Sequence, residues 1–249
     1  MKLIKKFKSQ NFNNRDNSKV SFIIIHYTAL KNCNEAIKYL CDKKNKVSSH
    51  YLISQSGKIY NLVEDKERAW HAGISYWDGN IDLNSKSIGI ELDFSKYKKN
   101  NSFSTNIISA LIYLIKKLKK KYKIENHNIL GHSDIAPFRK IDPGPKFPWY
   151  KLYDNNLVFN PCGKKDLNTK VLKNWFKKNN LLSNKKVFLF ILSYLGYDTL
   201  GIRDNRYLLS KLIIAYQSHY IQNNISGKID NKTLNFSINH FSKYILTKK

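Results

Sequence analysis

The stretch Gly131 to Trp149, GHSDIAPFRKIDPGPKFPW, constrains this chain more than any other, because all five prolines lie between Pro137 and Pro161. Proline fixes φ, removes a backbone donor and drives the preceding residue out of the α region. Ala136, Asp142, Gly144 and Phe147 are therefore expected in extended or turn conformations, and the whole segment is expected to be a stiff, non-helical loop. Such a loop holds its polar side chains at fixed separations, which suits a site better than a connector. The side chains it carries include His132, Lys140 and Asp142.

Upstream, Val20 to Tyr27 (VSFIIIHY) is an unbroken β-branched and aromatic run, which reads as a central strand buried on both faces, with His26 at its C-terminal end. That end is where open α/β sheets present functional side chains. Asn34 to Asp42 reads as a helix covering the sheet, and His50 to Ile53 with Ile59 to Val63, joined by SQSGK, as a hairpin. The segment Ala69 to Gly79 (AWHAGISYWDG) lacks periodicity; its aromatic residues form either a small hydrophobic cluster or a stacking surface for sugar or peptide. Ser87 to Asp93 (SIGIELD) is a further strand, whose glycine permits close approach of a neighbouring backbone. It places Glu91 between Ile90 and Leu92, where a carboxylate is costly unless it is paired or faces a cleft. A long amphipathic helix capped by Ser104 runs to Tyr122, and a short strand at Asn128 to Leu130 leads into the proline loop. Beyond Pro161 the character changes to three helical runs at about 186–196, 205–220 and 231–245, read as a separate small helical domain beginning near Leu167.

A length of 249 residues suits one or two domains. The chain carries 44 Lys plus Arg against 18 Asp plus Glu, a formal charge of +26 that attracts polyanions without choosing among them. No nucleic-acid reader motif accompanies the charge, so a specific nucleic-acid partner is not expected. Cys33, Cys41 and Cys162 form no CxxC pair and no even set, so neither a structural zinc knuckle nor a disulfide framework is indicated. The basic N-terminus is followed by no apolar h-region, so export by the usual route is not expected. No apolar run approaches the roughly 20 residues of a membrane-spanning helix.

His26, His132 and Asp142 supply two imidazoles and one carboxylate from separated places, a pattern of catalytic rather than structural zinc. One such ion suits hydrolysis of an unactivated amide, with Glu91 as the group that moves the proton and Lys140 set against the developing oxyanion.

The phrases FIIIHYTA, SSHYLIS, RAWHAGISYW, NSKSIGIELD and GHSDIAPFRKIDPGPKFPW resemble, in order, the motifs of the zinc-dependent N-acetylmuramoyl-L-alanine amidases of type 2, the AmpD/AmiD-like family. The resemblance implies an α/β catalytic domain over residues 18–155, a mixed central β-sheet flanked by helices as in peptidoglycan recognition proteins. It puts the zinc ligands at His26, His132 and Asp142, the catalytic glutamate at Glu91 and the oxyanion-stabilising lysine at Lys140. Substrate contacts are expected at His50, Trp70, His71, Trp77 and Arg139. Residues 167–247, with Gly227, Asp230 and Thr233, resemble a three-helix peptidoglycan-binding module. The implied partner is peptidoglycan or a muropeptide, cut between N-acetylmuramic acid and L-alanine by a protein expected to be monomeric. The family suggests the cell envelope as its compartment, and the missing h-region the cytoplasm. The alternative is a non-catalytic peptidoglycan recognition protein of the same fold, which commonly lacks the third metal ligand.

Overall fold

A computed structural model describes residues 2–95, 102–162, 169–202 and 205–247. Its centre is β3 (Phe22–Tyr27), flanked by the later strands β7 (Ser87–Leu92) and β8 (Ile129–Gly131), both parallel to it. On the far side of β7 lies β4 (Tyr51–Ile53), parallel to it and paired antiparallel with β5 (Ile59–Asn61); β1 (Leu3–Ile4) closes the sheet beside β5. The order β1-β5-β4-β7-β3-β8 is thus a mixed sheet, and a second small sheet pairs β2 (Phe12–Asn14) with β6 (Glu67–Ala69). The expected hairpin is β4 and β5, and Gly57 in its turn has φ +78°, with the Asn106 carbonyl oxygen only 2.9 Å from where a Cβ would stand.

Alternation along β3 decides what each face meets. Ile23 and Ile25 join Ile88, Ile90 and Ile129 against α3 (Thr105–Tyr122), whose residues Ile107, Leu111, Leu114, Ile115 and Leu118 form its buried stripe. The hydroxyl of Ser104 accepts the Ile107 N–H at 3.1 Å, as the capping signal requires. Helix α1 (Cys33–Cys41) covers another part of the sheet through Ala36, Ile37 and Leu40. On the opposite face, Phe22 and Ile24 share a core with Leu130, Trp77 and the C-terminal helices.

The proline loop is less uniformly non-helical than its composition implies. Its first residues form α4 (His132–Ile135), with Ala136 at φ −145°, ψ 53° ending the turn ahead of Pro137. Proline restrains itself and the residue before it, so His132 to Ile135 remain free to coil. The Asp134 carboxylate, at the third helical position, accepts the Gly131 N–H at 2.7 Å. Another short helix, α5 (Trp149–Asp154), starts at the end of the loop.

Four C-terminal helices are described rather than three: α6 (Thr169–Lys178), α7 (Asn184–Leu195), α8 (Arg206–Tyr220) and α9 (Asn231–Thr247). Leu167, where the sequence sets the start of this region, lies outside the described residues. The helices pack directly on the sheet region rather than standing apart. The Tyr197 hydroxyl donates to Asp134 Oδ1 at 2.6 Å, and His219 Nδ1 donates to Asp134 Oδ2 at 2.8 Å. Lys211 Nζ donates to the Phe138 carbonyl, and Gln222 Nε2 to those of Pro145 and Phe147. Trp77 lies over Gly196, and the His219 ring stacks on Trp149 at 3.6 Å. Gly227, at φ +65°, donates its N–H to Gln217 Oε1, while Asp230 accepts the Thr233 N–H, so these motif residues build the turn into α9. No helix among the described residues is long and apolar enough to cross a membrane.

Candidate functional site

In the parallel register of β3 and β7, His26 stands beside Glu91. The turn into α4 brings in His132 at the end of β8, and the proline loop folds back so that the Ser133 N–H donates to the Asp142 carbonyl at 2.8 Å. His26 Nδ1 and His132 Nδ1 are 2.9 Å apart, and each is 3.1 Å from Asp142 Oδ2. The three residues are 1%, 3% and 8% exposed, so their donor atoms converge inside the protein.

Burial, reinforced by the neighbouring His132, pushes His26 down to about 4, leaving the ring neutral at pH 7 with a lone pair to give. Burial alone would raise the Asp142 carboxyl, but His132 and His26 hold it well below the usual carboxylate range. Two imidazole nitrogens and a carboxylate oxygen are the donors expected around a catalytic zinc. Their 2.9–3.1 Å spacing leaves room for one small cation at about 2 Å from each. The third observation is Glu91 Oε2, shielded from solvent with no hydrogen-bond partner, an uncommon state for a buried carboxylate. Burial and the charge of Asp142 push Glu91 up to about 8, and Lys140 opposes them. The residues present therefore fit a divalent metal with an adjacent proton-transfer group.

Of the expected substrate contacts, Arg139 stays at the surface, donating to the carbonyls of Ala72 and Ile74. Trp70 is half-buried and donates to Asn13 Oδ1 on β2. The other three are interior, where packing and hydrogen bonds occupy them. Trp77 packs on Tyr197 and Gly196. His50 has no exposed surface; Arg15 Nη2 lies 2.7 Å from its Nε2, and the Gly89 N–H donates to its Nδ1. His71 lies beneath the His26–His132–Asp142 group, its Nδ1 3.0 Å from His26 Nε2. Ser87, Asn84 and the Ala72 carbonyl adjoin this group and were not singled out from sequence. Their one signal was Gly89, where a Cβ would overlap the His71 ring; the close approach is that of a side chain, not of a backbone. A 460 Å³ cleft between the loop and α8 is lined by Lys140, Ile141, Tyr207, Lys211 and Ile225.

Comparison with known proteins follows the same lines. Residues 16–145 match the family described as N-acetylmuramoyl-L-alanine amidase. The chain is 34% identical over 234 residues to the N-acetylmuramoyl-L-alanine amidase AmiD of Escherichia coli, covering 86% of this chain and 80% of that protein. The structure of Escherichia coli AmiD with anhydro-N-acetylmuramic acid-L-Ala-D-γ-Glu-L-Lys superposes with a TM-score of 0.72 at 29% identity, covering 98% of this chain and 93% of the other. AmpDh3 of Pseudomonas aeruginosa, in complex with anhydromuramic pentapeptide, gives a TM-score of 0.75 at 29% identity over 95% of each chain.

Proposed function

The chain belongs to the N-acetylmuramoyl-L-alanine amidase family and is an enzyme of that activity, and we propose that His26, His132 and Asp142 hold its catalytic zinc, one per chain. The observation that carries this reading is the convergence of three donor atoms within 3.1 Å, next to a glutamate oxygen with no partner. A zinc ion there supplies Lewis acidity toward the scissile carbonyl and lowers the pKa of a neighbouring water to about 7.

The protein's own groups do the rest. Glu91 receives the proton of the attacking water and returns it to the leaving nitrogen of L-alanine, a task suited to a carboxyl that burial holds near 8. Lys140 directs its positive charge toward the oxygen on which negative charge develops. The low accessibility of the triad limits competing water, which strengthens these interactions. A non-catalytic recognition protein would commonly lack the third donor, and here Asp142 stands beside both histidines.

The substrate is a muramyl peptide, by likeness to the two relatives solved with anhydromuramyl peptides. We extend the proposal to residues 167–247 as a region that adsorbs to peptidoglycan in the cell envelope, with the partly exposed Trp175 on α6 offering a stacking surface. The experiment is mass spectrometry of anhydromuropeptides and of intact sacculi after incubation with the purified protein, with and without a chelator. Release of free stem peptide, abolished by the chelator and restored by zinc, is the expected result; chelator-resistant release would overturn the metal assignment.

A further inference from the structure

The 460 Å³ cleft between the proline loop and α8 carries three cations, Arg139, Lys140 and Lys211, and no acidic side chain among the described residues. Arg139 is committed elsewhere. It donates to the Ala72 and Ile74 carbonyls, in a segment that Asn84 of α2 (Leu83–Lys86) holds by accepting the Ala72 N–H at 2.7 Å. Lys211 keeps donors to spare: its Nζ gives one hydrogen bond, to the Phe138 carbonyl at 2.8 Å, and lies 4.6 Å from the centre of the Tyr207 ring. Among the described residues no carboxylate forms an ion pair with Lys140 or Lys211.

Lys140 ties this cleft to the chemistry, because it lines the cleft and its charge reaches both His26 and Glu91. Ile141, 55% exposed and next to Asp142 in the chain, lines the same cleft and also a neighbouring one of 280 Å³. That neighbour is walled by Tyr27, Phe94 and Pro143 and carries a single lysine, Lys146. A muramyl peptide likewise has two unlike halves. The anhydromuramyl sugar is uncharged, whereas a stem peptide with a γ-linked glutamate, as in the relative solved with anhydro-N-acetylmuramic acid-L-Ala-D-γ-Glu-L-Lys, keeps a free α-carboxylate. The acidic half suits the cleft with unpaired ammonium groups, and the neutral ring suits the aromatic wall. Reach agrees with this division. In an extended peptide the carboxylate stands about 7 Å from the scissile nitrogen. Lys140 and Phe138, whose carbonyl holds Lys211, are two residues apart, at most about 7 Å between Cα atoms. A scissile carbonyl set against Lys140 therefore leaves the carboxylate within range of Lys211.

We propose that Lys211 of α8 recognises the free α-carboxylate of the γ-linked glutamate in the stem peptide, which gives the C-terminal helices a part in selecting the substrate that is cut. The proposal rests on the reading of the substrate as a muramyl peptide with its scissile carbonyl at Lys140. It adds a specificity residue from outside residues 16–145, the segment that matches the amidase family. The contact is made alike before and during the reaction, so it acts on KM rather than on kcat. A charge-assisted hydrogen bond of this kind is worth about tenfold in binding.

The test uses the full-length, zinc-loaded protein and two soluble substrates, anhydro-N-acetylmuramic acid-L-Ala-D-γ-Glu-L-Lys and the same peptide with the glutamate α-carboxylate converted to its amide. The wild type should favour the free acid by about tenfold in kcat/KM, with the difference in KM. Lys211→Gln, which keeps a donor for the Phe138 carbonyl but loses the charge, should bring the two substrates to parity. Lys211→Arg should keep the preference. A wild type that cuts both peptides alike overturns the proposal, and so does a Lys211→Gln protein that still prefers the acid. Equal losses on both peptides in Lys211→Gln also overturn it, since they mark a residue that only anchors the loop. A zinc-loaded wild type that cuts neither peptide overturns the muramyl-peptide reading instead, a result distinguishable from a missing preference in a protein that cuts both.

Discussion

Replacing Tyr197 by phenylalanine tests whether the C-terminal helices brace the loop that carries the triad. Asp134 is fully buried two residues beyond His132, and its three hydrogen bonds come from Tyr197 Oη, His219 Nδ1 and the Gly131 N–H, at 2.6, 2.8 and 2.7 Å. The substitution deletes the hydroxyl that serves Oδ1 and keeps the ring, which packs edge-on against Trp77 at 4.7 Å. Little apolar burial is lost, so the cost is that of one hydrogen bond to a buried carboxylate, about 1.5–3 kcal/mol. For a chain of this size that corresponds to a Tm lower by roughly 3–12 °C. The assay is urea unfolding of the metal-free protein, with a lowered midpoint at constant m. Tyr207→Phe is the control: this ring is 66% exposed, and loss of its hydroxyl should stay within about 0.5 kcal/mol. Because Asp134 also fixes the start of α4, Tyr197→Phe should weaken zinc binding as well. A Tyr197→Phe protein with the wild-type midpoint and zinc affinity would refute the bracing argument.

Lys140→Ala should lower kcat by about a hundredfold to a thousandfold with zinc content unchanged, as loss of an oxyanion partner does, and Lys140→Arg should recover part of it; steady-state kinetics with elemental analysis checks both. Burial, helped by the charge of Arg15 at His50 and by the nearby His219 at His240, holds His50 and His240 down at about 3, against about 6.5 for an unfolded histidine. The unfolded chain then binds more protons between those values, so stability is complete above about pH 6.5 and falls as the pH drops toward 3. Denaturant midpoints from pH 7 to 4 should follow that fall, and His240→Gln should flatten it. Deleting the chain from residue 169 onward should expose Trp77, Ile24 and Leu130 and leave Asp134 without two of its partners. The truncated protein should therefore aggregate or unfold at lower urea than the full chain, as size-exclusion chromatography and denaturation would show.

The elements that the sequence made legible are those whose periodicity reports burial directly. FIIIHY could only be a strand covered on both faces, and the spacing of Ile107, Leu111, Ile115 and Leu118 could only be a helix with one buried stripe. The strands β1, β2 and β6 were not legible, because two or three residues carry no period and FNN on β2 is exposed throughout. Helix α6 was hidden by its lysines, which leave only Leu172 and Phe176 buried. In the site, the residue types gave the triad and Glu91. The register that sets His26 beside Glu91 depends on strand pairing and had to be seen. The aromatic segment after Ala69 misled in one respect: composition does not tell which way a ring points, and His71 and Trp77 turn inward. The change of composition after Pro161 suggested a separate small helical domain, and it could not show that Tyr197, Lys211, His219 and Gln222 of that region hydrogen-bond the proline loop.

The central claim is that His26, His132 and Asp142 bind the zinc on which hydrolysis depends. Its most direct measurement is the zinc content of dialysed wild-type and Asp142→Ala proteins, taken together with their release of stem peptide from an anhydromuropeptide. The account predicts one zinc per chain and rapid release for the wild type, and loss of most of both for Asp142→Ala. Full zinc occupancy in Asp142→Ala, or undiminished hydrolysis by a wild type stripped of metal, would contradict it.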